Sequence, residues 1–374
     1  MAVVLHEPRV GGASTAVLRA LTALERRGWG FCFWAPQPSP VAELLRDRGY
    51  RVEGEARPMR YSWAALGEPP GRRARLLGTP GYLRRVRRFV ADVAPDLVHA
   101  NTLVTLPEAL AARAAGTPTM LHVHEMMPRD ARGVVAARLA RMLDGVATVS
   151  EAAAAALRRH GIEADVVTAG LALDGAPTRP RPAGRLVIGT IATVSHRKGS
   201  DRFVDAAATV LAERPDVEFR MVGPLPTGHE ARWAREQVAR ARRAGIRWDG
   251  PAQTSAVLAD WDIFVLPTRR DPFPLVVLEA MAAGLPVVAS RVDGLVEQVD
   301  AATGVLVAPE DAAGLCQAIL ALIDEPRRRE AMARAAEARV RSTFTPERHA
   351  DELERAYRHA LDASSSRRAG AGRS

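Results

Sequence analysis

The chain of 374 residues is long enough for two domains of ordinary size, each with its own core. With 47% hydrophobic and 25% charged residues it reads as globular; no apolar run approaches the ~20 residues of a membrane span, and the first strand reaches His6 and Glu7 too soon for a signal peptide. A net charge of +9, mainly from arginine, suits phosphate-bearing ligands or an anionic membrane, while two distant cysteines, Cys32 and Cys316, argue against a disulfide framework and for a reduced, cytoplasmic setting.

Val3-Val4-Leu5 reads as a strand, followed by the turn Gly11-Gly12 and a helix with Val17, Leu18, Leu21 and Leu24 on one face. A Gly-Gly turn between strand and helix lets backbone approach a diphosphate closely, although alone it is equally a plain turn. Arg57 to Arg88 is rich in arginine, with Arg72, Arg73, Arg75, Arg84, Arg85, Arg87 and Arg88. Such a segment either lies on anionic lipid or is a solvated helix shielding a sheet. Asp96–Thr102 and Thr119–Glu125 each read as a strand with polar groups at its carboxyl end. His122 and His124 share a face, which formally permits a metal pair, but no further ligand set accompanies them, so no metal is expected.

From Asp174 to Gly184 the prolines Pro177, Pro180 and Pro182 and the low apolar content mark a linker. Leu186–Val194 is the next strand; it leads through Ser195-His196-Arg197-Lys198-Gly199 into an amphipathic helix with Ser200 as its expected N-cap. A lysine at that junction is well placed to neutralise a diphosphate. Ile263–Pro267 and Pro286–Ser290 are short apolar strands, and between them Leu275, Leu278 and Ala282 recur at helical spacing. Pro274 suits the first helical position, and Gly284 with Pro286 makes a stop. Strand, loop, helix and strand place the helix N-terminus at the carboxyl edge of a parallel sheet, framed by Asp271 and Glu279. Amides that favour phosphate beside acceptor-only carboxylates suit a ligand bearing both phosphates and hydroxyls.

The run Asp271-Pro272-Phe273-Pro274-Leu275-Val276-Val277-Leu278-Glu279-Ala280-Met281, then Gly284-Leu285-Pro286-Val287 and Asp293-Gly294 before Glu297, resembles the acid-x7-acid signature of retaining GT-B glycosyltransferases of family 4. The family's usual form is Glu-Gly-Phe-Gly-Leu, three residues and Glu-Ala-Met/Leu, with a later Gly-Gly-x-x-Glu. The resemblance implies two doubly wound Rossmann-like α/β domains facing across a cleft. It places an acceptor-binding domain at 1–173 and a nucleotide-sugar domain at 185–344 on either side of the 174–184 linker, and a helix at 347–361 crossing back to the first domain; the tail at 362–374, made of Ser, Arg, Gly and Ala, reads as disordered.

By the same resemblance Glu279 holds the nucleotide ribose, Asp271 and His124 line the reacting sugar, and Lys198 binds phosphate. Gly11 and Gly12 would touch the donor, as would Phe273, Pro274, Leu275 and Val276 at the helix start; Pro274, lacking an N–H, leaves donation to Leu275 and Val276. Four departures stand out. Asp271 replaces a Glu, Pro272 and Pro274 replace glycines, Asp293 stands at the first Gly of the later pair, and the phosphate-binding Arg position falls on Thr193, so that Arg197 or Arg269 would have to supply that charge. The implied reaction is metal-independent transfer, with retention, of a sugar from a UDP- or GDP-type donor to a hydroxyl of a glycan, lipid-linked glycan or secondary metabolite. No cofactor beyond that donor and no nucleic-acid partner is expected. An epimerase or phosphorylase of the same fold, and a non-catalytic carbohydrate- or membrane-binding module, are the alternatives.

Overall fold

The computed structural model describes residues 1–57, 74–172 and 184–371. The linker expected from 174 lies outside these residues up to 183, as do Arg72, Arg73 and the Arg75 side chain. The chain forms two compact units, Met1–Gly170 with Pro346–Ser374, and Leu171–Thr345. Cys32 and Cys316 fall one in each unit, and both are free thiols.

The first unit is built on seven parallel strands: β1 (Ala2–Val4), β2 (Cys32–Trp34), β3 (Arg51–Glu53), β4 (Val98–Asn101), β5 (Thr119–Val123), β6 (Gly145–Thr148) and β7 (Asp165–Val166). Their spatial order is β3-β2-β1-β4-β5-β6-β7, so strand order reverses between β1 and β4. Its helices are α1 (Gly12–Glu25), α2 (Pro40–Asp47), α3 (Ala74–Val93), α4 (Leu106–Ala114), α5 (Ala131–Ala140) and α6 (Glu151–Arg158). Strands buried on both faces need near-continuous apolar side chains, and Ala2, Val3 and Val4 are all fully buried. On one face Tyr82, Val86, Phe89 and Val90 of α3 pack over Ala2, Val4 and Val98. Beneath them the Trp34 indole donates to the Tyr82 hydroxyl at 3.0 Å, and that hydroxyl donates to Glu108, whose carboxylate is bracketed by Arg57 at 2.5 and 2.9 Å.

The second unit repeats the scheme with β8 (Val187–Ile191), β9 (Glu218–Val222), β10 (Arg247–Trp248), β11 (Ile263–Leu266), β12 (Val287–Ser290) and β13 (Gly304–Val307). These are ordered β10-β9-β8-β11-β12-β13, with the reversal between β8 and β11. Around this sheet run α7 (Ser200–Glu213), α8 (Ala231–Arg243), α9 (Thr254–Leu258), α10 (Leu275–Ala282), α11 (Leu295–Gln298), α12 (Ala312–Asp324) and α13 (Pro326–Thr343). One core cluster joins Phe203, Ala207 and Val210 of α7 to Phe219, Val265 and Leu322.

The last helix, α14 (Pro346–Ala371), belongs to the first unit. Its Leu353, Ala356, Tyr357 and Ala360 pack with Ala20, Ala23 and Leu24 of α1 over Met120 and Ala147. At roughly 1.5–3 kcal/mol for each large side chain removed from water, this face holds α14 down. The tail expected to be disordered from Asp362 is helical instead as far as Ala371. Its polar composition gives no local reason for order, but Ser364 is buried, and Arg367 bonds the Leu143 carbonyl at 3.2 Å and the buried Asp144 carboxylate. Among the described residues no helix is long and apolar enough to cross a membrane.

Candidate active site

In an open parallel sheet the loops after the two strands that flank the reversal splay apart and leave a crevice at their carboxyl ends. In the second unit these loops follow β8 and β11, and they carry Lys198 and Asp271. Gly199 makes the approach possible: its φ is +70°, and a Cβ there would collide with the Pro267 carbonyl at the end of β11. The Thr268 hydroxyl donates to the Arg197 carbonyl at 2.9 Å and the Arg269 amide to the same oxygen at 2.8 Å, stitching the loops together. Across this seam the Lys198 ammonium is ion-paired with the buried Asp271 carboxylate.

Asp271 is held at its own backbone as well. Its amide donates to Asp293 Oδ2 at 2.9 Å, and its carbonyl accepts from Gly294 at 3.2 Å. Asp293, the departure at the first glycine of the later pair, therefore anchors the acid; it adopts a φ of +41°. Gly294 lies so close to the Pro272 carbonyl that no side chain fits. The sequence showed Asp293 as a mismatch only, because its partner lies 22 residues away.

Pro274 is the N-cap of α10 rather than its first residue, with ψ of 111°. Its carbonyl accepts from the buried Gln298 amide at 3.1 Å and from the Val277 amide at 3.1 Å. Leu275 and Val276 open the helix, where first-turn amides have no intrahelical acceptor and the dipole favours an anion. The Phe273 ring is buried edge-on against Phe344, centroids 5.9 Å apart, so it anchors the loop through packing. Glu279 is half-buried in the second turn of α10.

Of the two arginines expected to replace the missing phosphate ligand, Arg269 is otherwise committed. Its guanidinium takes both oxygens of Asp201 at 2.8 Å and pairs with Glu310 at 2.8 Å, because the loop turns it toward the first turn of α7. These carboxylates raise its pKa, Asp201 foremost, and Asp201 is lowered in return despite its burial. Arg197 is 53% exposed, donates to the Arg270 carbonyl at 3.1 Å and lies 3.9 Å from Asp271, so it is the guanidinium beside the pair. Ser200, expected as the N-cap of α7, is its first residue; Gly199 holds the cap position and the Ser200 hydroxyl accepts from the Ser195 amide at 3.1 Å.

The reversal in the first unit gathers different chemistry. Gly11 is the N-cap of α1, with Gly12 exposed after it. The Glu7 carboxylate folds over Gly11 and accepts from the Ser14 hydroxyl at 2.7 Å. His6 meets the Thr102 hydroxyl at 3.1 Å, and Thr102 sits at φ +93°, a strained conformation for a β-branched residue. Beyond β5, His124 is half-buried, its ring tilted 45° against His122 with centroids 4.2 Å apart. Burial, aided by His99, His349 and His6, pulls the His124 pKa down to about 3, so the ring is neutral near pH 7.

Glu125 Oε2 accepts from the His124 and Leu103 amides, both at 3.0 Å, yet burial pushes its pKa up to about 7. Glu7, His6, Thr102 and Glu125 were not singled out as site residues. The available signal was their position directly after β1, β4 and β5. Beneath this edge the buried His99 ring meets His122, centroids 5.4 Å apart, and the Tyr357 hydroxyl at 3.0 Å, with buried His349 close enough to act on both imidazoles. Among the described residues no group of three or more His, Cys, Asp or Glu is arranged to hold a metal ion.

Both units are similar to known proteins. The model described as "Glycosyl transferase 4-like domain" matches residues 11–170, and the model "Glycosyl transferases group 1" matches 185–325. A D-inositol 3-phosphate glycosyltransferase of Pseudarthrobacter chlorophenolicus is 36% identical over 176 residues, 45% of this chain and 41% of that protein. A glycogen synthase of Mycobacterium tuberculosis is 30% identical over 276 residues, 67% of this chain and 65% of its own length. The chain thus spans less than two thirds of these curated relatives. Among solved structures, Anabaena Alr3699/HepE in complex with UDP and glucose superposes with a TM-score of 0.80 at 21% identity, covering 95% of this chain and 98% of that one. Sucrose-phosphate synthase from Thermosynechococcus elongatus gives 0.78 at 21%, covering 97% and 99%. With both sheets doubly wound and both units matched, the chain belongs to the glycosyl transferases group 1 family, of GT-B fold.

Proposed function

We propose that the protein is a retaining glycosyltransferase that moves a sugar from a UDP- or GDP-type nucleotide-sugar to an acceptor hydroxyl. The observation that carries this reading is the Lys198–Asp271 pair at the strand reversal of the second unit, beside the opening turn of α10. An ammonium has three protons and a carboxylate several lone pairs, so the two can hold each other and still bind ligand. Asp271 would accept from sugar hydroxyls while Lys198 and the Leu275 and Val276 amides take the diphosphate. Glu279 would accept from the ribose.

The demanding step is departure of the negatively charged diphosphate as the anomeric bond lengthens. Preorganised positive groups lower that barrier by about 3 kcal/mol per well-placed donor. The reading assigns the task to Lys198, Arg197 and the helix amides, without a metal ion or further cofactor. The leaving phosphate takes the proton of the attacking acceptor hydroxyl on the same face, which gives retention. In the first unit the neutral His124 ring can donate to a hydroxyl without adding charge, and the Gly11–Gly12 turn offers amides. The arginines of α3 extend the reading to an acceptor at an anionic membrane surface.

Incubation with a panel of nucleotide-sugars, followed by mass spectrometry, tests the reading. Slow donor hydrolysis is expected, and product from a pooled hydroxyl acceptor should keep the donor's anomeric configuration by NMR. Inverted product sinks retention, and an unconsumed panel sinks the activity.

A further inference from the structure

The sugar-transfer reading leaves unused a groove of about 450 Å³ in the first unit, between α3, α4 and α5. Its walls include Leu83, Leu106, Leu110, Ala114 and Leu139, with Arg87 as the charged side chain among them. The apolar surface continues outward along α5. Val135 lies one turn before Leu139 on α5, and Met142 follows in the turn that ends the helix, its amide donating to the Leu139 carbonyl at 3.0 Å. Val135 is 50% exposed and Met142 59%, with Val134 beside them at 49%. Scattered exposed apolar residues need no explanation, but a patch continuous with an apolar groove does.

The surroundings are cationic. Arg84, Arg87 and Arg88 are exposed on α3 and Arg138 on α5. Among the described residues the negative charge nearby is engaged: Glu55 pairs with Arg85, Glu108 is buried against Arg57, and Asp130 is tied to Arg132. Asp92 lies at the far end of α3. A narrow apolar trough beside a projecting apolar patch and a rim of guanidinium groups complements a lipid leaflet with anionic headgroups. We propose that this groove receives an acyl chain of an anionic phospholipid, while Val135 and Met142 enter the leaflet and Arg84, Arg87 and Arg88 meet its phosphates.

Binding is read without any nucleotide-sugar, so it stands or falls separately from sugar transfer. In flotation at low salt, the full chain should rise with phosphatidylcholine vesicles containing phosphatidylglycerol and stay behind with phosphatidylcholine alone. Arg84→Gln and Arg88→Gln should each weaken binding about fivefold. Met142→Asp, and Ala114→Trp at the groove wall, should weaken it on the order of tenfold, with thermal melts confirming the fold. Fluorescence of Met142→Trp should be quenched by bromine-labelled acyl chains. Three results would overturn the proposal: no binding to anionic vesicles; binding weakened only by the arginine changes, with Met142→Trp unquenched, which means headgroup adhesion; or a concentration-dependent dimer abolished by Met142→Asp without vesicle binding, which assigns the face to a second copy.

Discussion

The two strand reversals share a topology and differ in almost everything else. In the second unit the crevice holds charges that answer one another, Lys198 with Asp271 and Arg269 with Asp201 and Glu310. In the first, the corresponding edge rests on neutral imidazoles tilted against one another. Winding order creates a place to bind; the side chains at the strand ends decide whether that place handles a dianion or hydroxyl groups.

The sharpest way to break this contrast is acid. Burial lowers His99 and His124 to about 3 and His349 to about 4, and His122 well below its ordinary value. The unfolded rings, near 6.5, then bind more protons than the folded ones, so stability is complete above that value and falls as pH drops from it toward 3. Each ring therefore costs the first unit stability as acid forces it toward protonation, and because the rings repel one another once charged, the losses belong to the cluster rather than to single residues. Urea midpoints from pH 7 to 4.5 should fall steeply, and His122→Leu should flatten the slope. A flat profile would mean the rings are solvated.

Next in size is catalysis in the second unit. Lys198→Ala and Glu279→Ala should each lower donor turnover on the order of 10²–10³-fold, with melting temperatures nearly unchanged. Near-normal turnover in either variant breaks the site assignment. Gly199→Ala should cost about 1–3 kcal/mol from its left-handed backbone alone, and more from the collision with Pro267, read as a lower denaturant midpoint. Smallest is Asp201→Asn, which removes an ion pair that is partly open to solvent. A loss of at most about 1 kcal/mol is expected, with turnover lowered only modestly if Arg269 merely braces the loop.

Much of the scaffold was legible because its signals are local. The apolar runs at Val187–Ile191 and Ile263–Leu266, the spacing of Leu275 and Leu278, and the Lys198-Gly199 junction all lie within a few residues of the structure they specify. What stayed hidden was non-local. Asp293 appeared as a broken motif, although it ties down the Asp271 amide. Arg269 looked like a phosphate ligand until Asp201 and Glu310 claimed it. His99 could not announce its partner Tyr357, 258 residues away, nor could a Ser- and Arg-rich tail reveal a buried Asp144 waiting for Arg367.

That closing helix has a consequence for how the protein is made. Since α14 covers Met120 and Ala147 and supplies Tyr357 to His99, the half of the molecule that leaves the ribosome first is the half completed last. The second unit has all of its strands and helices once Thr345 has emerged, while the first still presents an open apolar face. A nascent chain stalled before Pro346 should therefore recruit holdase chaperones to its older half.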